Sequence, residues 1–498
     1  MTQDSLFSAI EILITGQTIG WLLIGLLVGI IIGTIPGLGP NLGLAVALPL
    51  TMRLNGPDAI ILLISIYSGA MYGGSIAAIL INTPGTAAAA ATTLDGYPMA
   101  RQGRAMEALS ISATASAVGG AFSIITLILL TPFLTEIVLM FGSPEYFLIA
   151  LFGIALITVV VQESMVKGLT AGAFGLLLST IGLPVAAGQP RYTFDMFILY
   201  DGLDFVAVLI GIFAIGEMIK LIGEKGSISN ENISLSGSSL SGIRKVISAP
   251  ITTIKSGYIG MFIGAIPGSG ASISNFISYA EAVRSGGGDK EYGSGNHRGV
   301  IASEAANNGT VAGSLIPTFS FGIPGSGATA ILLGGLMMHG LRPGPELFAD
   351  NVNITYSIFF ALLVGNIVIL LLGLFIITRM VYITTIDTNY IIPIVIVVAS
   401  LGAFGLSGNW LDVYTVIFFG IFGFFMMKHN YSIIAFVLGI VLGPIAEENL
   451  VRSLQLSDGS FWIFLNEPIP LVLTLLIAAV VVSPILSVVR SFFNGTGS

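Results

Sequence analysis

The chain has 498 residues, of which 54% are hydrophobic and only 9% charged; soluble domains carry about 25% charged residues, so a soluble globular protein is excluded and a polytopic membrane protein is expected. The excess of 26 Asp and Glu over 18 Lys and Arg, net −8, argues against nucleic-acid binding. With no Cys and three scattered His, there is no basis for a disulfide framework, a thiolate nucleophile or a transition-metal site.

The apolar segments are long, whereas barrel strands alternate over about ten residues, so the fold class is all-α. In chain order, spans are expected near 17–35, 59–81, 106–130, 133–160, 165–182 and 203–222. They continue near 257–280, 299–320, 353–378, 389–406, 411–427, 431–445 and 468–490. Several fall short of the roughly 20 residues that a crossing needs. Short apolar segments paired between two halves point to broken or re-entrant helices. Asp4 and Glu11 precede the first apolar run and the first basic residue is Arg53. That pattern lacks the positive start of a signal peptide, and it places the N-terminus outside and Arg53 inside.

"GTIPGLGPNLG" at 33–43 interrupts the first run, and "GAIPGSGASIS" at 264–274 repeats its Gly, Ile, Pro and Gly positions 231 residues later. A second pair follows. "GGSIAAIL" (73–80) matches "NGTVAGSL" (308–315) at a shift of 235, and each precedes another Pro-Gly, Pro84-Gly85 and Pro324-Gly325. In this register the second copy is longer by about five residues before its break. The most hydrophilic stretch, about 222–246, is rich in Ser and Gly and is flanked or filled by Lys220, Lys225, Arg244, Lys245 and Lys255. The expected organisation is therefore a first transmembrane repeat (1–222), a cytoplasmic linker (223–256) and a second repeat (257–498). An outside N-terminus and an inside linker require an odd number of crossings in the first half, which makes the two pseudo-symmetric repeats inverted. On that count "RSGGGDKEYGSGNHRG" (284–299) should be external, although Arg284, Lys290 and Arg298 argue against it. The expectation is about twelve membrane segments of the secondary-transporter type.

Proline removes a backbone donor and glycine releases the chain from helical geometry. In lipid the freed groups survive only when buried in protein or satisfied by a solute. Half-helix N-termini suit anions, and half-helix C-termini with unwound carbonyls suit sodium. The candidate substrate site comprises Gly37, Gly39 and Asn41, Gly85 and Thr86, Gly268, Ser269, Gly270, Ser272 and Asn275, and Gly325, Ser326 and Thr329. Oxygen donors ahead of two breaks, Asn82 and Thr83, Thr318 and Ser320, are the candidate sodium ligands. The competing reading is close helix packing through small residues. Four breaks in a duplicated order, each followed within about five residues by a hydroxyl or amide, favour a site over packing alone. Glu304, with Asn307 and Asn308, enters an apolar segment; it is either an intramembrane functional carboxylate or an acid at an interfacial helix start.

At "GTIPGLGPNLGLAVALPLT", "YGGSIAAILINTPGTAAAAATTLDGYPMARQG" and "GLMMHGLRPGPELF" the chain resembles the large membrane subunit of bacterial tripartite tricarboxylate transporters, over nearly all of its length. The resemblance implies two partners, a small four-helix membrane subunit and a periplasmic solute-binding protein. It also implies uptake of carboxylates across the inner membrane driven by cation gradients, and no enzymatic activity or cofactor. Sodium is the expected coupling ion, because the donors near the breaks are neutral amides and hydroxyls. A channel would also use carbonyl-lined breaks, but two unlike halves in one chain favour a midplane transporter. No phosphate-binding G-x-x-x-x-G-K-[ST] motif is present for a primary pump, and the His residues do not serve the Pro-Gly-Ser-Gly serines as a hydrolase would need.

Overall fold

The computed structural model describes residues 3–160, 165–184, 188–223, 236–286, 292–375 and 388–480. The linker stretch 224–235 and the ends of the 353–378 and 468–490 spans lie outside the described residues. Among the described residues, eight helices are long and apolar enough to cross a membrane. The number is nine if the pair Ser239–Ile247 and Pro250–Gly264, bent by 80°, counts as one span. Four shorter apolar helices accompany them: Ser143–Leu156, Val166–Ser179, Gly327–Met338 and Pro468–Val480. The protein is thus an all-α polytopic membrane protein.

The first half begins with α1 (Gln3–Leu13), α2 (Gly16–Thr34), α3 (Gly39–Ala47), α4 (Gly56–Ile81) and α5 (Ala90–Met99). Asn55 starts α4 by accepting from the Asp58 amide, with Pro57 in the first turn. The corresponding elements of the second half are α12 (Pro250–Gly264), α13 (Gly270–Ser285), α14 (His297–Phe321) and α15 (Gly327–Met338). In the first half a Cβ at Gly29 or Gly33 of α2 would lie 2.3 or 2.2 Å from the carbonyl oxygens of Ile66 and Ala70 on α4. In the second half Gly260 and Gly264 of α12 make the same approach to Ala306 and Thr310 on α14, at 2.2 and 2.7 Å. Only glycine permits backbones this close. Residue numbers rise together in both pairs, so α2 runs parallel to α4 and α12 parallel to α14.

These contacts set the register of the duplication: 29 maps to 260 at a shift of 231, and 66 maps to 306 at a shift of 240. The shift of 235 read from the second motif pair is therefore off by five residues. With the shift of 240 the extra five residues vanish, and Pro84-Gly85 falls directly on Pro324-Gly325. The same shift pairs Asn82 with Gly322, which end α4 and α14 in the left-handed conformation at φ 55° and 68°. Small alternating residues in both helices allowed the wrong match; interhelical packing distinguishes the two registers.

The breaks at Pro36 and Pro267 turn the chain back, whereas at Pro84 and Pro324 it runs on to the far face, Gly74 beside Thr86 and Gly96 beside Ile79 showing α5 parallel to α4. Gln17 and Thr18, at the start of α2, hydrogen-bond Asp58 at the start of α4, at 2.9 and 2.6 Å. The α2–α3 unit therefore leaves one face and returns to it. Arg53 consequently lies on the same face as residue 17, not opposite the N-terminus as expected. In the second half Lys255 of α12 pairs with Glu281 of α13, so the 257–280 segment is a re-entrant hairpin rather than a crossing. Its return places 292–298 beside 99–107. Gln102 donates to Ser294 O at 2.7 Å, and the Met106 amide donates to Ser236 O at 3.0 Å. The loop before α14 and the stretch after the linker thus share one face, which corrects the assignment of 284–299 to the opposite one. The hairpin removes the conflict that its Arg residues posed.

The remaining helices pack around this centre. Helix α6 (Ala105–Leu139) runs through Pro132, where separate 106–130 and 133–160 spans were expected, and α7 (Ser143–Val160) and α8 (Met165–Ser179) follow. Helices α9 (Phe205–Ile210) and α10 (Gly216–Gly223) join through a wider turn at Gly211–Ile215. Helix α11 (Ser239–Ile247) lies against α6, where the close approach of Gly242 to Glu107 O leaves no room for a Cβ. In the second half come α16 (Val352–Phe375), α17 (Thr388–Ser407), α18 (Trp410–Lys428) and α19 (Ile433–Leu456). Helix α19 packs on α7 and α8, and α18 packs on α9 and α10, so each half completes the other. Outward-facing Leu129, Phe133, Phe262, Phe375, Leu401 and Phe418 give the perimeter an apolar surface.

Candidate functional site

The four breaks converge. The Gly85 amide donates to Gly74 O at 3.1 Å, and a Cβ on Gly85 would lie 1.9 Å from Gly33 O, so the first two tips touch. The Gly268 amide donates to Gly325 O at 3.1 Å, joining the other two. The halves meet where the Asn275 side-chain amide donates to Ala88 O at 2.8 Å and where Asn41 packs on Gly327. Helix α4 crosses α14 in the antiparallel sense: Tyr67 lies 3.4 Å from Ser314, and Asn307 donates to Met71 O at 2.9 Å.

A cavity of about 400 Å³ opens between the tips. It is lined by 37–42, 84–88, 271–272 and 326–328, with Tyr67 and Met71 of α4 and Glu217 and Lys220 of α10. Helices α3, α13 and α15 and the short turn Ala87–Ala89 all begin at this cavity. Backbone N–H groups of helix starts, with their partial positive charge, therefore face it from several directions. Gly37 and Gly39 (φ 84° and 54°) and Gly268 and Gly270 (φ 79° and 65°) supply the left-handed residues that the tips require.

The predicted residues divide by role. The side chains of Asn41 and Ser272 line the cavity, and neither caps a helix or bonds another described side chain. Thr86 and Ser326 also line it, but each caps its own helix: Thr86 accepts from the Ala89 amide, and Ser326 forms a reciprocal capping box with Thr329. Ser269 closes the end of α12 by donating to Ile266 O at 2.8 Å. Asn275 and Thr329 support the tips from behind and do not line the cavity.

The sodium candidates are not brought together. Asn82 and Thr83 end α4, Thr318 and Ser320 end α14, and the two helices run antiparallel. Asn82 is exposed and Thr83 donates to Ile81 O at 3.3 Å. Thr318 donates back to Ser314 O at 2.7 Å, and buried Ser320 has no partner for its hydroxyl. Among the described residues no group of three or more His, Asp or Glu could hold a metal ion.

Sequence reasoning missed Glu217 and Lys220, which stand 3.9 Å apart at the cavity. Lys220 entered only as a basic flank of the linker. The available signal was a Glu-x-x-Lys pair inside the otherwise apolar 205–223 segment. Glu304 lies fully buried inside α14, not at an interface.

Residues 19–438 match the Tripartite tricarboxylate transporter TctA family. The chain belongs to this family. It is similar to an uncharacterised 52.8 kDa protein from the TAR-I ttuC′ 3′ region of Agrobacterium vitis, 33% identical over 490 residues covering 98% of this chain and 97% of the relative. A second protein, from the TAR-II ttuC′ 3′ region of the same organism, is 31% identical over 210 residues, covering 42% of this chain and 87% of the relative. No solved structure matches. As a TctA-family member the protein belongs to the bacterial inner membrane and to a transporter family, and it is not an enzyme. The convergent helix starts are consistent with transport of a carboxylate.

Proposed function

We propose that this TctA-family protein is the large transmembrane subunit of a binding-protein-dependent secondary transporter that imports a carboxylate by alternating access, coupled to sodium. The carrying observation is the convergence of four Pro-Gly tips from two duplicated halves on one cavity lined by helix starts. Hydroxyl and amide groups at Asn41, Ser272, Thr86 and Ser326 add hydrogen-bond donors to the helix starts, with the Glu217–Lys220 pair at the wall. The antiparallel crossing of the equivalent helices α4 and α14 supports an inverted repeat. Counting the shorter α7 and α8 as crossings gives five in the first half, α4, α6, α7, α8 and the α9–α10 helix, an odd number. The face carrying Arg101, Arg104, Arg244, Lys245, Arg284 and Arg298 is then cytoplasmic.

A trianion entering a cell at about −100 mV works against roughly 7 kcal/mol, at about 2.3 kcal/mol per charge. Co-import of more than three cations with each trianion makes the step electrogenic and favourable. The partners are the small four-helix subunit and the periplasmic solute-binding protein, docked on the face opposite the basic cluster. Reconstitution of the protein with its small subunit in liposomes, under an imposed sodium gradient at fixed pH, tests the proposal. Uptake of labelled carboxylate should require both the gradient and the loaded binding protein. Equal uptake in potassium-only buffer would remove sodium, and full uptake without the binding protein would remove the tripartite arrangement.

A further inference from the structure

We infer that the coupling sodium binds one turn behind the cavity wall, at Glu304, with Ser75 and Asn307 completing an oxygen cage; this rests on the sodium-coupled reading above. Glu304 is 0% exposed, and no Lys, Arg or His acts on it. A buried ionised carboxyl without a counter-charge is too costly to keep. Its partners are hydroxyls: Thr92 donates to Oε1 at 2.5 Å, and Ser112 and Ser116 to Oε2 at 3.0 and 2.9 Å. They come from α5 and α6, while Glu304 belongs to α14.

A second, independent observation marks the place as a ligand site. Ser75 lies beside the same carboxyl, yet its Oγ has no well-formed hydrogen bond; neither do Tyr72 OH, Asn307 Oδ1 and Asn308 Oδ1. Ser75, Tyr72 and Asn307 are each 0% exposed and Asn308 2%. Buried polar atoms are almost always paired. Ser75 beside the carboxyl, with Asn307 and Asn308 one turn further along α14 and Tyr72 one turn back on α4, offers the hard, mostly neutral donors that suit a small alkali cation. Hydroxyls can rotate to present lone pairs to it.

Packing alone does not demand a charge here. In the 240-residue register the equivalent of position 304 is Ile64, also 0% exposed. An aliphatic side chain thus serves in the other half, and the carboxyl is an addition confined to one copy.

The site also shares elements with the cavity. Met71 of α4 lines the cavity, and one turn further on α4 carries Ser75; Ala88 lines it, and α5 carries Thr92. Asn307 donates to Met71 O. A cation drawn to Glu304 therefore fixes two of the elements that build the cavity.

Radiolabelled sodium binding to the purified full-length protein in nanodiscs, with potassium keeping ionic strength constant, tests the assignment. Wild type should bind the label and release it to unlabelled sodium. Glu304→Gln should lose binding. Ser75→Ala, which removes one oxygen beside the carboxyl and leaves the Thr92, Ser112 and Ser116 hydrogen bonds in place, should keep the thermal midpoint and raise half-saturating sodium by about tenfold. Wild-type binding by both variants would overturn this site and leave sodium-coupled transport standing. If Glu304→Gln does not fold, an unchanged half-saturation in Ser75→Ala overturns the site by itself. Absence of sodium binding in wild type, with uptake driven by a pH gradient and lost in Glu304→Gln, would overturn both readings and make Glu304 a proton carrier.

Discussion

At Gly85 there is no room for a side chain, because a Cβ would stand 1.9 Å from the carbonyl oxygen of Gly33, itself locked against Ala70. Gly37 and Gly268 are constrained differently. Their φ of 84° and 79° would strain a β-branched residue by about 1–3 kcal/mol. At Gly37 the nearest atom to an added Cβ is the flexible end of Leu221, while at Gly325 it is Gly264 O at 3.0 Å. The four tip glycines are therefore unequal. Gly85→Val should abolish uptake, Gly37→Val and Gly268→Val should reduce it strongly, and Gly325→Val should be the mildest, with protein still inserted in the membrane. Initial uptake rates normalised to membrane content check this order. Normal rates in all four variants would mean that the tips tolerate a side chain and do not form the site.

Among the elements, α5 depends on a single carboxylate. Asp95 is 0% exposed, and its Oδ1 accepts from the amides of Gly293, Gly295 and Asn296 at 2.9, 2.8 and 2.8 Å. Its Oδ2 accepts from Tyr279 at 2.9 Å. The aspartate thus ties the helix after the second break to the loop that starts α14 and to hairpin arm α13. Hydrogen bonds to a buried charge are worth about 1.5–3 kcal/mol each, and unpaired partners add a penalty. Asp95→Ala should cost on the order of 3 kcal/mol or more, read as a lowered thermal midpoint in detergent. A midpoint equal to wild type would mean that the loop is held by something else. The α12–α13 hairpin brings Lys255 and Glu281 together at its open end, which marks its two ends as lying on one face.

For the whole molecule the hairpins set the topology. Ser238 and Ser285 are exposed, in the stretch after the linker and at the end of α13, and Arg53 is exposed at the start of α4. The chain has no Cys, so single cysteines report cleanly. Ser238→Cys and Ser285→Cys should both resist an impermeant thiol reagent applied from outside, while Arg53→Cys should react. Opposite accessibility of Ser238→Cys and Ser285→Cys would make α12–α13 a crossing and overturn the proposed inverted repeat. External labelling of both would turn the protein over in the membrane.

The repetition of Pro-Gly at 36 and 267 and at 84 and 324 is a local pattern, so the duplication and the positions of the breaks were readable in the chain itself. So was the membrane class, because composition alone sets how much charge is available to meet water. What a break does to the path is not local. Whether the chain continues or turns back depends on how its two arms pack, as Gly29 on Ile66 and Gly260 on Ala306 show. For that reason 257–280 read as a crossing and Arg53 was placed on the wrong face. The cavity has the same origin: Asn41 and Ser272 were visible as residues after breaks, but Glu217 and Lys220 join them only because α10 packs against the tips. The surroundings of Glu304 were the least legible. Its hydroxyl partners are Thr92, Ser112 and Ser116, 212, 192 and 188 residues away. Only the folding of one half against the other assembles them, since contacts at such separations are set by tertiary packing and leave no periodic trace along the chain.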